Sequence, residues 1–139
     1  MNFLYARVAA AFFAVLAPEA ANAQDRPQLQ RLQGAWVPEG SSCANAFFKQ
    51  GTAIHFARPG SSKREGILIL GNRIEDSRQR CTISKAKMEA DRHTLFITCF
   101  SGLLVSKLAF SLQFVAEDVV LRTFTDFPED QMRWRRCSL

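Results

Sequence analysis

The sequence predicts an all-β fold, a small antiparallel barrel of eight or nine strands in a meander, held by two disulfides. Short strand-like runs alternate with turn residues along the chain, as is typical of barrels and sandwiches. Short links between consecutive runs favour a meander, because neighbours in sequence then pair with each other. Four cysteines, an even number, predict two disulfide bonds in an exported chain.

The first 23 residues have the three parts of a secretory signal peptide, and we expect cleavage after Ala23. Arg7 provides the positive start, residues 8–17 form an apolar run, and residues 21–23 carry the small-residue cleavage pattern. The run is too short to cross ~30 Å of hydrocarbon, and no later stretch reaches the ~20 apolar residues of a membrane helix. The mature protein is therefore expected to be periplasmic or secreted, and not transmembrane.

Residues 24–33 are polar and contain Pro27, which predicts a flexible leader with room for one helical turn around Leu29 and Leu32. The barrel domain is expected to cover residues 34–139, a length that gives one domain with a modest core. The predicted strands lie at residues 34–37, 52–57, 67–70, 73–75, 81–88, 94–99, 104–117, 119–125 and 132–137. Residues 44–48 are expected to form either a single helical turn or an irregular corner.

The segment from Cys81 to Cys99 predicts a hairpin whose two ends are joined by a disulfide. Two strand-like runs flank a polar turn midway between the cysteines, so the cysteines face each other on neighbouring strands. Cys81 shares a face with Ile83, and Cys99 shares one with Leu95 and Ile97, because side chains alternate along a strand. Both cysteines therefore point to the apolar side of the hairpin.

A barrel closes by pairing its first strand with its last, which brings the region of Cys43 towards Cys137. Cys43–Cys137 is then the natural second bridge, although four cysteines allow three connectivities. Alternation puts Cys137 on the opposite face from Met132 and Trp134, so a bulge or a strand end is expected near it. A zinc site is not expected, because the cysteines are spaced by 38, 18 and 38 residues and zinc sites use closer pairs.

No catalytic or cofactor-binding pattern is assembled in the sequence, so we expect neither an enzyme nor a cofactor. His55 alternates with Ile54 and Phe56, which places it on the surface of a strand. His93 is expected to end the polar turn of the central hairpin. If all four cysteines are bridged, no thiol nucleophile remains.

Leu32-Gln33-Gly34-Ala35-Trp36-Val37 places a Gly-x-Trp motif at the start of the first strand. This opening resembles that of calycin-type barrels; it is similar to the lipocalins and, in chain length, to small periplasmic inhibitors of secreted metalloproteases. The resemblance implies a structural role for Gly34 and Trp36, with the indole closing one barrel end beneath a basic residue of a late strand. The candidates for that cation–π contact are Arg133, Arg135 and Arg136.

The leader of those inhibitors enters the protease cleft, so the resemblance implies that residues 24–27 form the reactive segment of an inhibitor. Those inhibitors carry one disulfide, whereas this chain is expected to have two. The cysteine layout instead resembles that of small exported bacterial proteins with a Gly-x-Trp start and a C-terminal cysteine. That second likeness implies no activity.

The chain is basic, with 18 Lys and Arg against 13 Asp and Glu and a net charge of +5. In one interpretation these charges maintain solubility and blunt strand edges. In the other they bind an anionic envelope component or an acidic protein face, since nucleic acid is not expected as the partner of an exported protein. The candidate binding residues are Arg58, Lys63 and Arg64 in one loop and Arg133, Arg135 and Arg136 in the last strand.

We therefore expect a non-catalytic binding or envelope-associated protein. Two alternatives stay open, the protease inhibitor and a carrier of a small apolar ligand. An eight-stranded barrel is just wide enough to be filled by side chains or to hold one small ligand. Twelve phenylalanines in a chain of this length favour a filled interior.

Overall fold

The computed structural model describes residues 29–59 and 66–139. The predicted signal peptide lies outside the described residues. In chain order the elements are β1 (Gly34–Pro38), α1 (Cys43–Ala46), β2 (Phe47–Gln50), β3 (Ala53–Phe56), β4 (Ile67–Leu70), β5 (Arg73–Glu75), β6 (Arg80–Glu89), β7 (Arg92–Ser101), β8 (Leu104–Ala116), β9 (Val119–Phe124) and β10 (Phe127–Arg136). No helix in the described part of the chain is long and apolar enough to span a membrane.

Eight of the strands form a closed antiparallel barrel. The strands from β4 to β10 follow one another as a meander, and β1 closes the barrel by pairing with both β10 and β4. Trp36 on β1 lies opposite Arg136 of β10 on one side and Ile67 of β4 on the other. The predicted all-β barrel, closed by its first and last strands, is confirmed.

The strand predicted at residues 52–57 exists as β3, but it pairs with β2 in a separate hairpin outside the barrel. Residues 44–48 divide between the two predicted alternatives, since α1 is a short helix and Phe47 begins β2. Along β3 Ile54 and Phe56 are half-buried, and Ala53 and His55 are exposed. This strand has one partly apolar face, which suits a cover on an outer surface.

The barrel interior is filled by apolar side chains from alternate strand positions. On β7 every second residue from position 93 to position 99 is buried, and the residues between are partly exposed. Cys81 and Cys99 lie opposite each other in this interior and are joined by a disulfide, with their Cα atoms 4.0 Å apart. The predicted hairpin, its disulfide and its apolar phase are confirmed.

A second apolar cluster lies outside the barrel, between β1 and β4 on one side and the β2–β3 hairpin on the other. Its buried members are Ala35, Val37, Ala46, Phe47, Leu68 and Cys137. The chain approaches so closely here that position 66 needs glycine. A Cβ atom on Gly66 would lie 2.6 Å from the Phe47 ring and 2.8 Å from the Trp36 carbonyl oxygen.

The second disulfide joins Cys43 of α1 to Cys137 within this outer cluster, with Cα atoms 5.7 Å apart. Trp134 of β10 belongs to the interior core, whereas Cys137 faces outward. β10 ends at Arg136, so the strand end that the phase of Cys137 required is present. The predicted pairing of Cys43 with Cys137 is confirmed.

Residues 29–33 of the predicted leader form one helical turn packed on a barrel end, at the leucines where the sequence left room for it. The backbone N–H of Leu32 donates to the Leu29 carbonyl at 3.0 Å. Both leucines are buried in the interior core, at 5% and 0% exposure. Two apolar residues three positions apart share one face of a helical turn, and burial of that face orders the segment. Residues 24–28 lie outside the described residues.

Candidate functional site

The two ends of the barrel differ in how they are closed. The sealed end, where β1 begins and β10 ends, is covered by the helical turn of residues 29–33. The open end carries the turns that join β5 to β6, β7 to β8 and β9 to β10. The residues singled out from the sequence are divided between these ends and the outer surface.

Trp36 and Arg136 form the centre of the sealed end. The indole N–H of Trp36 donates to the Leu32 carbonyl at 2.8 Å, and the Arg136 guanidinium carbon lies 4.3 Å from the centre of the Trp36 ring. The same guanidinium donates to the carbonyl oxygens of Arg31 and Gln33. Of the three arginines that the resemblance proposed for this role, Arg136 is the one on the indole.

Gly34 joins the helical turn to β1 in a conformation that residues with side chains rarely adopt. Its φ is +115°. Next to it, the Gln33 side chain accepts a hydrogen bond from the Gly71 N–H at 2.6 Å and donates one to the Gly71 carbonyl at 3.1 Å. The Gly-x-Trp motif thus connects the helical turn to β1 and directs Trp36 into the barrel. Hydrogen bonds between Gln33 and Gly71 and from Trp36 to Leu32 stabilise this connection.

His93 is buried beneath the sealed end, which corrects its predicted place in the polar turn. It is 1% exposed, and its ring packs edge-on against Phe114 with the ring centres 5.6 Å apart. Arg31 covers Phe114 with its guanidinium 4.1 Å from the ring centre, and pairs with Asp91 at 3.4 Å. Burial and then the charge of Arg31 lower the pKa of His93, against a smaller opposing effect of Asp91.

The three arginines of the last strand do not form one surface patch. Arg136 lies at the sealed end. Arg135 donates to the Ser41 carbonyl at 2.7 Å, and Arg133 forms an ion pair with Glu39 at 3.1 Å. All three contribute to internal contacts of the chain.

The loop singled out from the sequence is placed in part. Arg58 is exposed two residues after β3, whereas Lys63 and Arg64 lie outside the described residues. His55 is exposed on β3, as predicted, and stacks on Phe48 of β2 with ring centres 5.3 Å apart.

The interior at the open end holds a cation among aromatic rings. The guanidinium carbon of Arg122 lies 4.3 Å from the centre of the Phe124 ring, 5.2 Å from that of Phe110 and 5.3 Å from that of Trp134. A cavity of about 70 Å³ remains beside these side chains. Arg122 was not singled out from the sequence, although it shares its strand phase with Val120 and Phe124.

The β7–β8 hairpin projects beyond the barrel at the open end. β7 and β8 pair as far as Ser101 and Leu104, but β9 pairs with β8 only from Phe110 onward. We call the end of this hairpin the apolar tip. It consists of Phe100, Leu103, Leu104 and Val105, which are 54%, 102%, 74% and 59% exposed.

Six exposed cations lie on the outward faces of β5 to β8. Two of them, on β6 and β8, lie beside the apolar tip. Arg80 is paired with Phe100, and Lys107 with Thr98, so both side chains share the outward face of the hairpin. A groove of about 440 Å³ runs along the same face and is lined in part by Phe96 and Lys107. We call this surface the basic face, and its cations are Arg73, Arg80, Lys85, Lys87, Arg92 and Lys107.

The described residues contain neither a cluster of metal ligands nor a free thiol. Among them, no three His, Cys, Asp or Glu side chains are grouped to hold a metal ion, and all four cysteines are in disulfides. Comparison of the chain with protein-family models, with curated proteins and with solved structures found no match. The resemblance to calycin-type barrels therefore stays a prediction, carried by the Gly-x-Trp motif.

Proposed function

We propose that this protein is a non-catalytic binding module of the cell envelope or the extracellular space, and that its basic face binds an anionic partner. The observation that carries the proposal is the presence of six exposed cations on the outward faces of four consecutive strands. Cations concentrated on one surface attract anionic partners and speed their association. Two disulfides fit a compartment outside the reducing cytoplasm.

The cations of the basic face remain accessible. Glu75 pairs with Arg73 at 3.8 Å and with Arg80 at 3.6 Å, yet these two arginine side chains are 54% and 77% exposed. Surface ion pairs of this kind contribute ~0–1 kcal/mol, so a stronger anionic partner can replace the carboxylate. Arg135 and Arg136, by contrast, donate to backbone carbonyls and hold parts of the chain together.

The interior favours binding on the surface over the carriage of a small apolar ligand. The cavity at the open end measures about 70 Å³. Pockets that enclose small organic ligands usually measure ~300–1,000 Å³. At the sealed end Trp36 and Leu32 fill the space between the strands, at 1% and 0% exposure.

The proposal is tested by replacing Lys85, Lys87 and Lys107 with Ser and measuring retention of the mature protein on immobilised heparin. We expect the variant to elute at clearly lower salt than wild type, because exposed charges act through screened attraction. The matched variant replaces Arg58, Lys63 and Arg64 with Ser and loses the same charge. Wild-type elution of the first variant contradicts the proposal, and early elution of the second alone assigns binding to the loop predicted from the sequence.

We also propose a second function, the inhibition of a secreted protease by residues 24–27. Its support is the anchoring of the following segment, in which Gln33 bonds to Gly71 and Arg136 holds the carbonyls of Arg31 and Gln33. A segment that leaves the barrel from a fixed point loses less conformational entropy when it binds a cleft. The anchoring of the turn that follows them supports residues 24–27 as the inhibitory segment.

A further inference from the structure

We infer that the partner of the basic face is an anionic lipid bilayer, and that the apolar tip of the β7–β8 hairpin inserts into its surface. The inference rests on the proposed function and names the partner. Its basis is the position of the apolar tip directly beside exposed cations.

The apolar tip is most exposed at its turn and on the side away from β6. Leu103 is 102% exposed and Leu104 74% exposed, and both strands extend beyond the part of β8 that pairs with β9. Large apolar side chains grouped on an exposed surface mark a contact site for a protein or a membrane. A projecting hairpin end is more complementary to a lipid bilayer than to a rigid pocket, because lipids can rearrange around it.

The backbone of the hairpin also suits a shallow insertion. Phe100 is paired with Val105, and Ser101 with Leu104, so the two strands bond to each other up to the turn. Backbone groups that are paired within the inserting segment avoid the cost of losing water. Gly102, with a φ of +61°, makes the tight turn between the strands.

The cations lie where lipid phosphates would meet them. Arg80 is paired with Phe100, and Lys107 follows Val105 two positions along the outward face. When the tip enters the acyl region, these side chains reach the headgroups just above it. Cations close to an anionic leaflet strengthen binding, and salt weakens the attraction. The combination of an apolar tip and nearby cations is therefore complementary to an anionic bilayer.

The test is co-flotation of the mature protein with vesicles of equimolar phosphatidylcholine and phosphatidylglycerol, compared with phosphatidylcholine alone. Wild type should float with the anionic vesicles. The variant Leu103→Ser/Leu104→Ser should bind them at least about tenfold more weakly, because it has no leucine side chains at the tip to transfer from water into the bilayer. The matched control Val115→Ser changes an apolar residue that is 46% exposed near the other end of β8, and should bind like wild type.

A fluorescent reporter tests insertion directly. Trp36 and Trp134 are both buried, so their emission forms a constant background. The variant Leu103→Trp should show a blue shift on anionic vesicles and none on neutral ones, because its indole leaves water only if the tip inserts. Circular dichroism of each variant confirms that the barrel is folded.

The outcomes separate the inference from the proposed function. Retention on heparin that depends on the basic face, without any vesicle binding, overturns the bilayer and leaves the proposed function standing. Vesicle binding that is equal in wild type and in the Leu103→Ser/Leu104→Ser variant overturns insertion. If wild type does not bind vesicles but forms a dimer that the same substitutions dissociate, the tip contacts a second copy of the chain and the inference is overturned. If wild type neither is retained on heparin nor binds vesicles, both proposals are contradicted.

Discussion

Arg136 combines three kinds of contact at the sealed end of the barrel. It covers the Trp36 ring, bonds to two carbonyls of the helical turn, and pairs with Asp118 at 2.9 Å. A hydrogen bond to a charged group stabilises by ~1.5–3 kcal/mol and a cation–π contact by ~0.5–2 kcal/mol. Because its side chain is only 25% exposed, these contacts are weakly screened. We conclude that Arg136 holds the turn of residues 29–33 against β1.

His93 makes the stability of the protein depend on pH. Its pKa in the folded protein lies below the ordinary value of 6.5, so the folded state disfavours its protonation. The free energy of unfolding is therefore highest above about pH 6.5, where the histidine is neutral in both states. It falls as the pH decreases from there through the lowered pKa, because the unfolded state takes up the proton first. The free energy of unfolding should decrease by about 1.36 kcal/mol for each unit by which the folded pKa is lowered.

The measurement is urea unfolding of wild type and of His93→Phe between neutral and mildly acidic pH. The variant keeps an aromatic ring against Phe114 but cannot take up a proton near Arg31 and Asp91, the charged groups at this site. Its stability should fall less on acidification than that of wild type. Parallel pH profiles for the two proteins would contradict the role of His93.

The alternation of side chains along β6 and β7 predicted the burial of the cysteines correctly but was not applied to His93. It placed Cys81 and Cys99 correctly on the apolar side, because the residues around them were themselves apolar. The same rule puts His93 in phase with Leu95 and Ile97, but its polarity favoured the turn. Its burial depends on Phe114 and Arg31, which are distant in sequence, so only the fold could decide it.

The β2–β3 hairpin illustrates what a local pattern cannot specify. The alternation at residues 52–57 predicts a strand, and β3 is one. A period of two shows which residues share a face, but not which sheet the strand joins. The close packing of Gly66 against Phe47 and Trp36 brings the hairpin to the outer surface of β1 and β4. That choice depends on contacts between separate segments.

Two deletions test the roles of the leader and of the helical turn. Removal of Gln24–Gln28 should leave the thermal midpoint unchanged, because the core that the structure describes begins at Leu29. Removal of Gln24–Gln33 should destabilise the protein by several kcal/mol, since burying each of Leu29 and Leu32 stabilises by about 1.5–3 kcal/mol. Equal midpoints of the two variants, measured by circular dichroism, would contradict the structural role of the turn.

The shorter deletion also tests inhibition. If residues 24–27 enter a protease cleft, the deletion should abolish inhibition of a secreted metalloprotease while the fold is retained. Failure of the intact mature protein to inhibit any protease of a panel would exclude this function for those proteases. Inhibition that survives the deletion would place the reactive segment elsewhere.

The whole molecule is cross-linked across its closure by Cys43–Cys137, which spans 94 residues of sequence. In the chain-entropy model a loop of ~100 residues is worth ~4.7 kcal/mol, because the bridge restricts the unfolded chain. The double variant Cys43→Ser/Cys137→Ser should therefore lose up to about 4 kcal/mol in urea unfolding. The barrel itself should remain, since β1 still pairs with β10 and β4.

The slope of the same unfolding curve provides an independent check. Without the bridge the unfolded chain exposes more surface, so the dependence of stability on urea concentration should become steeper. A variant with an unchanged midpoint and slope would show that the bridge does not constrain the unfolded state. The Cys81–Cys99 bridge, which spans 18 residues, should give a smaller change in slope when removed.

Local patterns by themselves determined the β class, the meander, the barrel closure and the phase of the Cys81–Cys99 hairpin. Turn residues, side-chain alternation and paired cysteines act between neighbours in sequence or follow from barrel closure, so the chain alone reveals them. Tertiary structure alone decided that Arg136 lies on Trp36, that His93 is buried, and that the apolar tip meets the basic face. The first two depend on contacts between segments that are far apart in sequence. The third depends on the register of consecutive hairpins, which is decided by packing of the whole barrel.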